Sequence, residues 1–501
     1  MTFDTAERVV ESAAILWAVR PVAVHCASLD FRRMAPRLAR AMAIALACYV
    51  AATLALALLV PIAAMRAVAV LAVAGMAALA WVASPARGAS RGWPTGRLAP
   101  LQLGYWFDRT FFIDNAARHG RTFKTCQFHR PTACIVGLNR GFAYLERHEA
   151  DLTSPPLPFT RFVPGGFLRF MPPDRHEATK ARLRRAIGRE YFEPNLARLA
   201  LHFKDGVARM ADAAANSGTA PRAHVQRAAF AAWMKLFYGV ESDTPDFARL
   251  KAAYRVIDIR NPTGASDDAI TRAGAEIVSI ARAAAARDAG LDVPPSFVAA
   301  LARQSGALDE DTVLHNLAYM CHTTWGDISG LLTWVFRMLV DNPEWADRLR
   351  DTQRTGAPGE AAALAGRIVQ ETLRLEQSEH LYRVAMRDIA DEDGTVVPKG
   401  WLIRVCVRES HRDPSVFDAA ETFNPDRFER RTFTRREYSP FGAGGRTACI
   451  GEGLTRMVAA VFAEEVVRGW RWRTANDGPP EYGPWRHWRP SSNWRVTAMP
   501  A

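Results

Sequence analysis

One glycine-rich run near the end of the chain, Phe441–Gly451, constrains the fold and chemistry more than any other segment. It reads Phe-Gly-Ala-Gly-Gly-Arg-Thr-Ala-Cys-Ile-Gly and is followed by an apolar stretch with helical spacing. Cys449 is thereby placed on a loop at the N-terminus of a helix, where unpaired amide groups and the nearby Arg446 favour the ionised thiolate. Gly442 and Gly444 let a flat cofactor approach the backbone without Cβ clashes. The run therefore predicts a thiolate ligand for iron.

Two other interpretations of this run remain open, a surface loop with a structural cysteine and a cradle for phosphate. A dinucleotide-binding loop is disfavoured. The third glycine of that motif would fall at Thr447, and no strand-loop-helix unit with a downstream acidic residue follows.

A series of motifs precedes the cysteine run in a fixed order. They are Glu371-Thr-Leu-Arg374, Arg383, Asp393 to Gly400, His411-Arg-Asp-Pro414 and Phe423 to Phe428. With the cysteine run, the series resembles the cytochrome P450 family, closely from residue 371 onward and over about residues 100 to 475 in all. The resemblance implies a mainly α fold with a smaller β region, a haem b cofactor (iron protoporphyrin IX) and Cys449 as the proximal iron ligand.

The resemblance also implies roles for residues around the cofactor. Glu371, Arg374 and Arg427 would form a buried charge network that holds the cysteine loop. Arg383, and Arg185 on a helix that begins near His176, would pair with haem propionates. The loop residues Phe441, Gly444 and Gly451 would contact the cofactor. One residue more than usual separates Phe441 from Cys449, so Arg446 is displaced by one from the position of the family's propionate-binding residue.

The long helix expected over about 311 to 340 departs from the family on the oxygen side. The family has a small residue, glycine, any residue, an acid and then threonine, and alignment puts Thr323, Thr324, Trp325, Gly326 and Asp327 on these positions. Gly326 then takes the position of the acid and Asp327 that of the threonine, whereas a register shifted by one would restore Asp327 as the acid and leave Ile328 in place of the threonine. In either register the ordinary pair of acid and alcohol is absent. We expect Asp327 to be buried beside the iron and to deliver protons, its pKa raised by desolvation, with the hydroxyls of Thr324 and Ser329 as further catalytic candidates. Alternatively, Asp327 caps a kinked helix or binds a basic group of the substrate.

The composition fits a large folded domain with a basic surface. The chain has 501 residues, of which 49% are hydrophobic, and 64 Lys and Arg against 52 Asp and Glu give a net charge of +12. A basic surplus suits nucleic acid, anionic lipid or an acidic protein. Because no basic block is interleaved with aromatic residues and no paired zinc-type cysteines occur, a nucleic-acid partner is disfavoured. The seven cysteines have no disulfide-framework spacing, which favours a reducing, cytoplasmic setting for the globular part.

Two nearly uninterrupted apolar stretches, 41–60 and 67–83, predict a membrane segment. The first has the roughly 20 residues that a membrane span needs, and the second is at the short end. Pro61 to Arg66 would form the turn of a helical hairpin, and arginines outside both ends put those ends on the cytoplasmic side. A single span followed by an interfacial helix and an alanine-rich soluble helical pair remain alternatives. A cleaved signal peptide is disfavoured because the apolar stretch begins some forty residues into the chain and is too long.

The chain is thus predicted to comprise an anchor with its linker over 1–97 and a catalytic domain over 98–501. Residues 119–129 and 131–137 predict two strands with a turn at Arg130 and Pro131. A helix is predicted over about 360–375, and Glu371 and Arg374, three positions apart, would lie on one face of it. By the resemblance to the cytochrome P450 family, the loop from Pro155 to Pro173 would roof the substrate pocket. The tryptophans of the C-terminal tail fit either a membrane interface or the core.

The function expected from this resemblance is oxygenation of a lipophilic small molecule by dioxygen. The electrons would come from a separate ferredoxin or reductase, since no flavin or iron-sulfur segment is recognised. A peroxide-driven oxidation, an isomerisation or dehydration, and a non-catalytic haem sensor in the membrane are the alternatives.

Overall fold

The computed structural model describes most of the chain after residue 91. The described residues are 92–98, 105, 108–127, 130–155, 163, 166–168, 171–215, 218–257, 265–292, 296–305, 311–376, 381–444, 448–482 and 488–501. The predicted membrane stretches 41–60 and 67–83 lie outside them. In the part of the chain that the structure describes, no helix combines the length and apolar character needed to cross a bilayer.

Helices make up most of the described structure. In chain order they are α1 Phe111–His119, α2 Leu138–Arg147, α3 Pro173–Ala186, α4 Arg189–Phe192, α5 Leu196–Ala214, α6 Pro221–Tyr238, α7 Pro245–Ile257, α8 Asp267–Arg287, α9 Phe297–Ser305, α10 Asp311–Asp341, α11 Pro343–Thr355, α12 Glu360–Leu375, α13 Val407–Ser410, α14 Arg427–Arg430 and α15 Glu452–Val467, with 3-10 turns at Glu149–Asp151 and Glu193–Asn195. The mainly helical class expected from the sequence is confirmed.

A smaller β region flanks the helices. Its strands are β1 Thr95–Gly96, β2 Thr122–Gln127, β3 Arg130–Ile135, β4 Leu152–Thr153, β5 Leu381–Ala385, β6 Ile389–Ala390, β7 Val396–Val397, β8 Leu402–Val405, β9 Trp470–Asn476, β10 Glu481–Tyr482, β11 Trp488–Arg489 and β12 Arg495–Pro500. Six of them form one mixed sheet in the order β1-β2-β3-β8-β5-β4, and the pairs β6-β7, β10-β11 and β9-β12 form separate ribbons.

The turn predicted at Arg130 and Pro131 is wrong. Arg130 already pairs with Gln127, and Pro131 pairs with Cys126, so both belong to strand β3. Proline is tolerated there because it lies at the start of the strand, where its missing N–H costs little.

The core of the helical region is built around α10, α12 and α15, which pack against one another. Each of the three has a continuous buried face, for example Leu364, Ala365, Ile368, Val369 and Thr372 on α12. Such a face buries its apolar area against its neighbours at roughly 25 cal/mol per Å². The packing matters for function because α15 begins three residues after Cys449, and α12 carries Glu371 and Arg374.

The Trp-rich tail joins this core in its described part. Trp494 is 1% exposed, Trp472 meets the ring of Phe336 edge-on with centroids 4.9 Å apart, and the guanidinium of Arg337 lies 5.0 Å from the Trp494 ring. Core packing therefore accounts for both tryptophans.

Candidate active site

Cys449 lies on the loop that leads into α15. Its backbone N–H donates to the carbonyl of Phe441 at 3.2 Å, which closes the loop across its described ends. Gly442 and Gly444 have φ of 91° and 93°, a left-handed conformation that other residues adopt only with strain. Arg446 and its two neighbours lie outside the described residues. The glycines therefore shape the loop as the sequence predicts, and the role of Arg446 stays a prediction.

Cys449 differs from the other described cysteines in its accessibility. Cys126, Cys134, Cys321 and Cys406 are buried, whereas Cys449 is exposed. Burial raises the pKa of Cys126 to about 12, and it also raises the pKa of Cys321 and of Cys406. These buried groups stay as thiols, which are poor metal ligands. Among the described cysteines, Cys449 alone combines accessibility with a position at a helix start.

Glu371, Arg374 and Arg427 form a buried charge network behind this loop. The Arg374 Nε and Nη2 each donate to a different Glu371 carboxylate oxygen at 2.8 Å, and the Arg427 Nε donates to both of these oxygens at 3.0 and 3.1 Å. Glu371 and Arg374 are fully buried. Because burial removes solvation from three charges, the network is stable only while every partner is present.

The same guanidinium groups fix the chain segment between α13 and α14. Arg374 donates to the carbonyls of His411 and Ala420 at 2.9 and 2.7 Å, and Arg427 donates to the carbonyl of Asp418 at 2.9 Å. The network thus holds in place the backbone that packs beside the cysteine loop.

His411 extends this network to the cysteine loop itself. Its Nε2 accepts a hydrogen bond from the backbone N–H of Ser439 at 3.0 Å, and the Ser439 hydroxyl donates to the carbonyl of Gly442 at 2.5 Å. Burial, with a smaller contribution from Arg374 and Arg412, lowers the His411 pKa to about 3. The imidazole is therefore neutral and able to accept at Nε2. From the sequence, His411 was noted only as part of the His411 to Pro414 motif. Its structural role could not be predicted, because its partner Ser439 lies 28 positions away.

The long helix α10 is continuous from Asp311 to Asp341. Asp327 is exposed, so the buried carboxylate predicted from the sequence is wrong. The expectation of burial came from the apolar residues around it, but the helix turns this one position toward open space.

The two hydroxyl groups predicted to be catalytic are both engaged within the helical layer. Thr324 donates to the carbonyl of Met320 at 2.6 Å and accepts from the indole N–H of Trp233 at 2.9 Å. Ser329 is buried and donates to the carbonyl of Gly326 at 2.9 Å. These bonds direct Thr324 toward α6 and Ser329 into its own helix turn.

The cations predicted to meet the propionates occupy different environments. Arg383 on β5 is half-buried, and its Nη1 donates to the carbonyl of Tyr382 at 2.8 Å. Arg185 is exposed and lies half a turn away from the buried face of α3, which carries His176, Lys180, Leu183 and Ala186. The role of Arg185 toward a propionate stays a prediction, and the cation that α3 buries is Lys180, at 2% exposure.

The described part of the roof loop is attached to α10 by one buried amide. Asn316 accepts a hydrogen bond from the backbone N–H of Leu168 at 2.8 Å and donates to the carbonyl of Gly166 at 3.0 Å. The ring of Phe167 packs edge-on against Tyr319, with centroids 4.5 Å apart. This aromatic contact and the Asn316 amide together hold the described part of the loop against α10.

A second charge cluster joins α10 to the end of α12, and sequence reasoning missed it. Arg109 donates to both carboxylate oxygens of Glu376 at 2.5 and 2.6 Å. Its guanidinium also lies 5.6 Å from the Trp334 ring and 5.5 Å from the Trp488 ring. Glu376, directly after α12, thus has a partner 267 positions away that no local pattern shows.

The donor set of this region fits a haem. An accessible cysteine sulfur is available for iron, and a Cβ added at Gly451 would approach only the Cys449 sulfur, at 3.9 Å among the described atoms. The backbone beside the sulfur therefore leaves room for a flat group. Arg383 and Lys180 supply cations of the kind that bind carboxylates.

Comparisons with known proteins agree with this geometry. A family model for cytochrome P450 matches residues 326–493. A cytochrome P450 from Citrus sinensis, family 716 subfamily AD polypeptide 2, is 30% identical over 183 residues, which cover 34% of this chain and 37% of that protein. The abscisic acid 8'-hydroxylase CYP707A1 of Solanum lycopersicum is 27% identical over 192 residues, covering 35% of this chain and 40% of the relative. The matched segments thus span less than half of these relatives.

Solved structures show the same fold over a larger share of the chain. The retinoic acid bound cyanobacterial CYP120A1 has a TM-score of 0.65 at 18% identity, covering 82% of this chain and all of the neighbour. A zebrafish cytochrome P450 structure with progesterone has a TM-score of 0.61 at 18% identity, covering 78% of this chain and 99% of the neighbour.

Proposed function

Since the chain belongs to the cytochrome P450 family, we propose that it is a haem-thiolate monooxygenase acting on a lipophilic small molecule. The observation that carries the proposal is the exposed Cys449, held at the start of α15 beside the buried network of Glu371, Arg374 and Arg427. An accessible cysteine sulfur at the start of a helix is suited to bind haem iron.

The cofactor in this proposal is haem b, with Cys449 as its proximal ligand. When bound, it supplies the iron that activates dioxygen, and the thiolate favours O–O cleavage by donating electron density. Arg383, Arg185 and Arg446, with the buried Lys180 on α3, are the cations proposed for the propionates. Phe441, Gly444 and Gly451 are proposed to hold the loop against the ring. The protein's own contribution is to keep the sulfur in one position and to exclude water from the pocket.

The substrate class that we favour is an isoprenoid lipophile. Names of relatives and neighbours mention abscisic acid, retinoic acid and progesterone, which are all isoprenoid compounds. Phe167 of the roof packs on Tyr319 of α10, and rigid aromatic side chains suit flat apolar ligands.

The electrons are proposed to come from a separate ferredoxin or reductase, and the protein is proposed to sit at a membrane with its catalytic domain on the cytoplasmic side. The net charge of +12 favours an acidic redox partner. The apolar stretches 41–60 and 67–83 favour anchoring, which would bring the pocket close to membrane-dissolved substrates.

Oxygen-isotope labelling tests the reaction type. The full chain is incubated under ¹⁸O₂ with one probe substrate, which is retinoic acid, abscisic acid or progesterone. Each reaction also contains a ferredoxin, its reductase and the nicotinamide cofactor. We expect one ¹⁸O atom in a hydroxylated product of at least one probe, and no product when the reductase is omitted. Product formed equally well with hydrogen peroxide alone would contradict the proposal and favour peroxide-driven oxidation. The hydrogen bond from Trp233 to Thr324 supports that alternative, because it engages a hydroxyl that was a candidate for proton delivery.

A further inference from the structure

One face of the six-stranded sheet is buried but polar. The register pairs Arg404 of β8 with Tyr382 of β5 on one side and with Cys134 of β3 on the other. Paired positions point to the same side of a sheet, and side chains alternate along each strand. These three residues therefore share one face, called here the polar face, with the following residues of β2 and β3: Phe123, Thr125, Gln127 and Thr132. The opposite face, with Ala133 and Ile403, belongs to an apolar cluster with α2.

Three buried side chains of the polar face have hydrogen-bond donors without a partner among the described residues. These donors are Nε2 of Gln127, the hydroxyl of Thr125, and Nε and Nη1 of Arg404. Gln127 is 0% exposed, Thr125 1% and Arg404 4%. The Gln127 amide is oriented, because its Oε1 accepts from the Tyr382 hydroxyl at 3.3 Å. Since a buried donor without an acceptor is unfavourable, their grouping on one face indicates a bound group that supplies acceptor atoms.

Arg404 gives the polar face its charge. The centre of its guanidinium lies 3.7 Å from the centroid of the Phe112 ring, so this ring of α1 covers the flat side of the group. Among the described residues, the carboxylate that contacts Arg404 is that of Glu409, with N and O 3.5 Å apart. At that distance a hydrogen bond is weak. The edge of the guanidinium that carries Nε and Nη1 is therefore available to a ligand.

Cations outnumber buried carboxylates around this part of the sheet. Two buried carboxylates lie among four guanidinium groups: Glu376 and Glu409 among Arg109, Arg404, Arg408 and Arg412. Arg412 has a further partner in Glu421, which is exposed. Because a buried cation without a counter-ion is unfavourable, a ligand with one negative charge would stabilise this cluster.

The polar face adjoins the helices that carry the proposed site. Phe112 covers Arg404, and three residues before it the guanidinium of Arg109 lies 5.6 Å from the Trp334 ring of α10. Arg109 also donates to Glu376, directly after α12. The start of α1 thus contacts both the polar face and α10, so a ligand held on the face has α10 beside it.

The chemistry of the polar face selects a carboxylate joined to an apolar body. A carboxylate brings one negative charge and two oxygens that accept several hydrogen bonds, whereas a ketone or an ester brings no charge. The apolar body would meet buried apolar side chains next to the donors, such as Phe112, Phe123 and Leu402.

We propose that the polar face binds the carboxylate of a lipophilic acid, with Arg404 as its ion partner and Gln127 as the amide donor that orients it. The inference rests on the proposed function, and it deepens that function by selecting acids among the isoprenoid lipophiles. Of the three probe substrates, retinoic acid and abscisic acid carry a carboxylate and progesterone does not.

Isothermal titration calorimetry of the haem-loaded full chain tests this with retinoic acid and its methyl ester, which keeps the apolar body and removes the charge. Arg404→Met removes the cation at similar side-chain length, Arg404→Lys keeps a charge, and Gln127→Leu removes the amide donor. Lys124→Met is the matched control, because Lys124 lies on the opposite face of the same sheet and its Nζ donates to the Pro94 carbonyl at 2.6 Å. Thermal unfolding shows whether each variant is folded.

We expect the wild type to bind the acid at least about tenfold more tightly than the ester, since hydrogen bonds to charged groups are the stronger ones. Arg404→Met should weaken binding of the acid by about tenfold or more and leave binding of the ester unchanged. Arg404→Lys should retain part of the preference, and Gln127→Leu should lose about threefold for the acid alone. Lys124→Met should resemble the wild type with both ligands.

A wild type that does not bind the acid, or that binds acid and ester equally, would overturn the proposal and show that water satisfies the donors. An unchanged ratio of the two affinities in Arg404→Met and Gln127→Leu would overturn it as well. If Arg404→Met does not fold, Gln127→Leu decides, because it removes a donor without leaving a charge unpaired. Calorimetry needs no turnover, so these failures differ from that of the proposed function, which a missing red-shifted carbonyl band or a product without ¹⁸O would show.

Discussion

At the scale of single residues, Glu371 is the group whose loss the structure tolerates least. Its carboxylate is fully buried and accepts from two guanidinium groups and from the backbone N–H of Asn424 at 2.9 Å. Replacing it with Gln leaves Arg374 and Arg427 as uncompensated buried charges, so we expect Glu371→Gln to cost about 3–5 kcal/mol in the free energy of unfolding. Urea denaturation, with haem retention followed in parallel, measures this.

The control for Glu371 is an exposed ion pair in the same region. Arg348 pairs with Asp426 at 2.8 Å, with side chains 44% and 20% exposed, so Arg348→Gln should cost less than about 1 kcal/mol. Equal losses in the two variants would mean that the buried network has no special role.

His411 predicts a pH dependence of stability. Its pKa is about 3 in the folded protein and about 6.5 when unfolded. Above pH 6.5 both states are neutral, and between 6.5 and 3 the unfolded state alone binds the proton, so stability falls as pH falls through this window. The slope from this one group approaches about 1.4 kcal/mol per pH unit.

A His411→Gln variant isolates that contribution, because the Gln side-chain oxygen can still accept from Ser439 N–H but does not titrate. Unfolding free energies of wild type and variant are compared at pH 8, 6 and 5. We expect the stability of the wild type to fall more steeply than that of the variant below pH 6.5. Parallel curves would show that the imidazole is not buried in its neutral form.

At the scale of elements, the crossing of α5 and α6 depends on a glycine. A Cβ added at Gly206 would lie 2.8 Å from the Cβ of Ala228, closer than real contacts allow. We expect Gly206→Ala to lower the free energy of unfolding by about 1–3 kcal/mol, because the two helices must separate. In α12, a Cβ added at Gly366 would meet no described atom within 4 Å beyond the chain neighbours and the backbone of its own helix, so Gly366→Ala should stabilise by about 0.5–1 kcal/mol. Thermal unfolding of both variants gives the comparison, and a stabilising Gly206→Ala would contradict the described packing.

Long periodic segments were the easiest elements to predict. The helix expected over 360–375 has the bounds Glu360–Leu375, and the one expected over 311–340 runs from Asp311 to Asp341. An apolar face that repeats over several turns fixes such helices from local sequence alone. The strand boundary at Arg130 was missed because a proline can begin a strand as readily as a turn.

The site was less predictable because its decisive contacts join distant positions. The bonds from His411 to Ser439 and from Arg109 to Glu376 span 28 and 267 positions. Asp327 is accessible because the elements packed around α10 leave space at that position. The apolar pattern of the helix predicts only its average burial, so it could not predict that one position is exposed. Motif order identified the residue types, and tertiary packing decided their roles.

At the scale of the whole molecule, the account predicts membrane attachment through the N-terminal apolar stretches. After expression of the full chain, alkaline carbonate extraction should leave the protein in the membrane pellet. Leu56→Arg with Leu59→Arg places two charges in the first stretch, each costing about 2.5–3.5 kcal/mol on insertion, and should move protein into the supernatant. Full extraction of the unaltered chain would contradict the anchor.

The central claim is that Cys449 binds haem iron as a thiolate, and one spectrum tests it most directly. The detergent-purified full chain is reduced and exposed to carbon monoxide beside Cys449→Ala and a control, Cys126→Ala, which alters a buried cysteine of strand β2. The account predicts a strongly red-shifted carbonyl band in the wild type and in Cys126→Ala, and no such band in Cys449→Ala. A red-shifted band that survives in Cys449→Ala, or its absence from the wild type, would contradict the account.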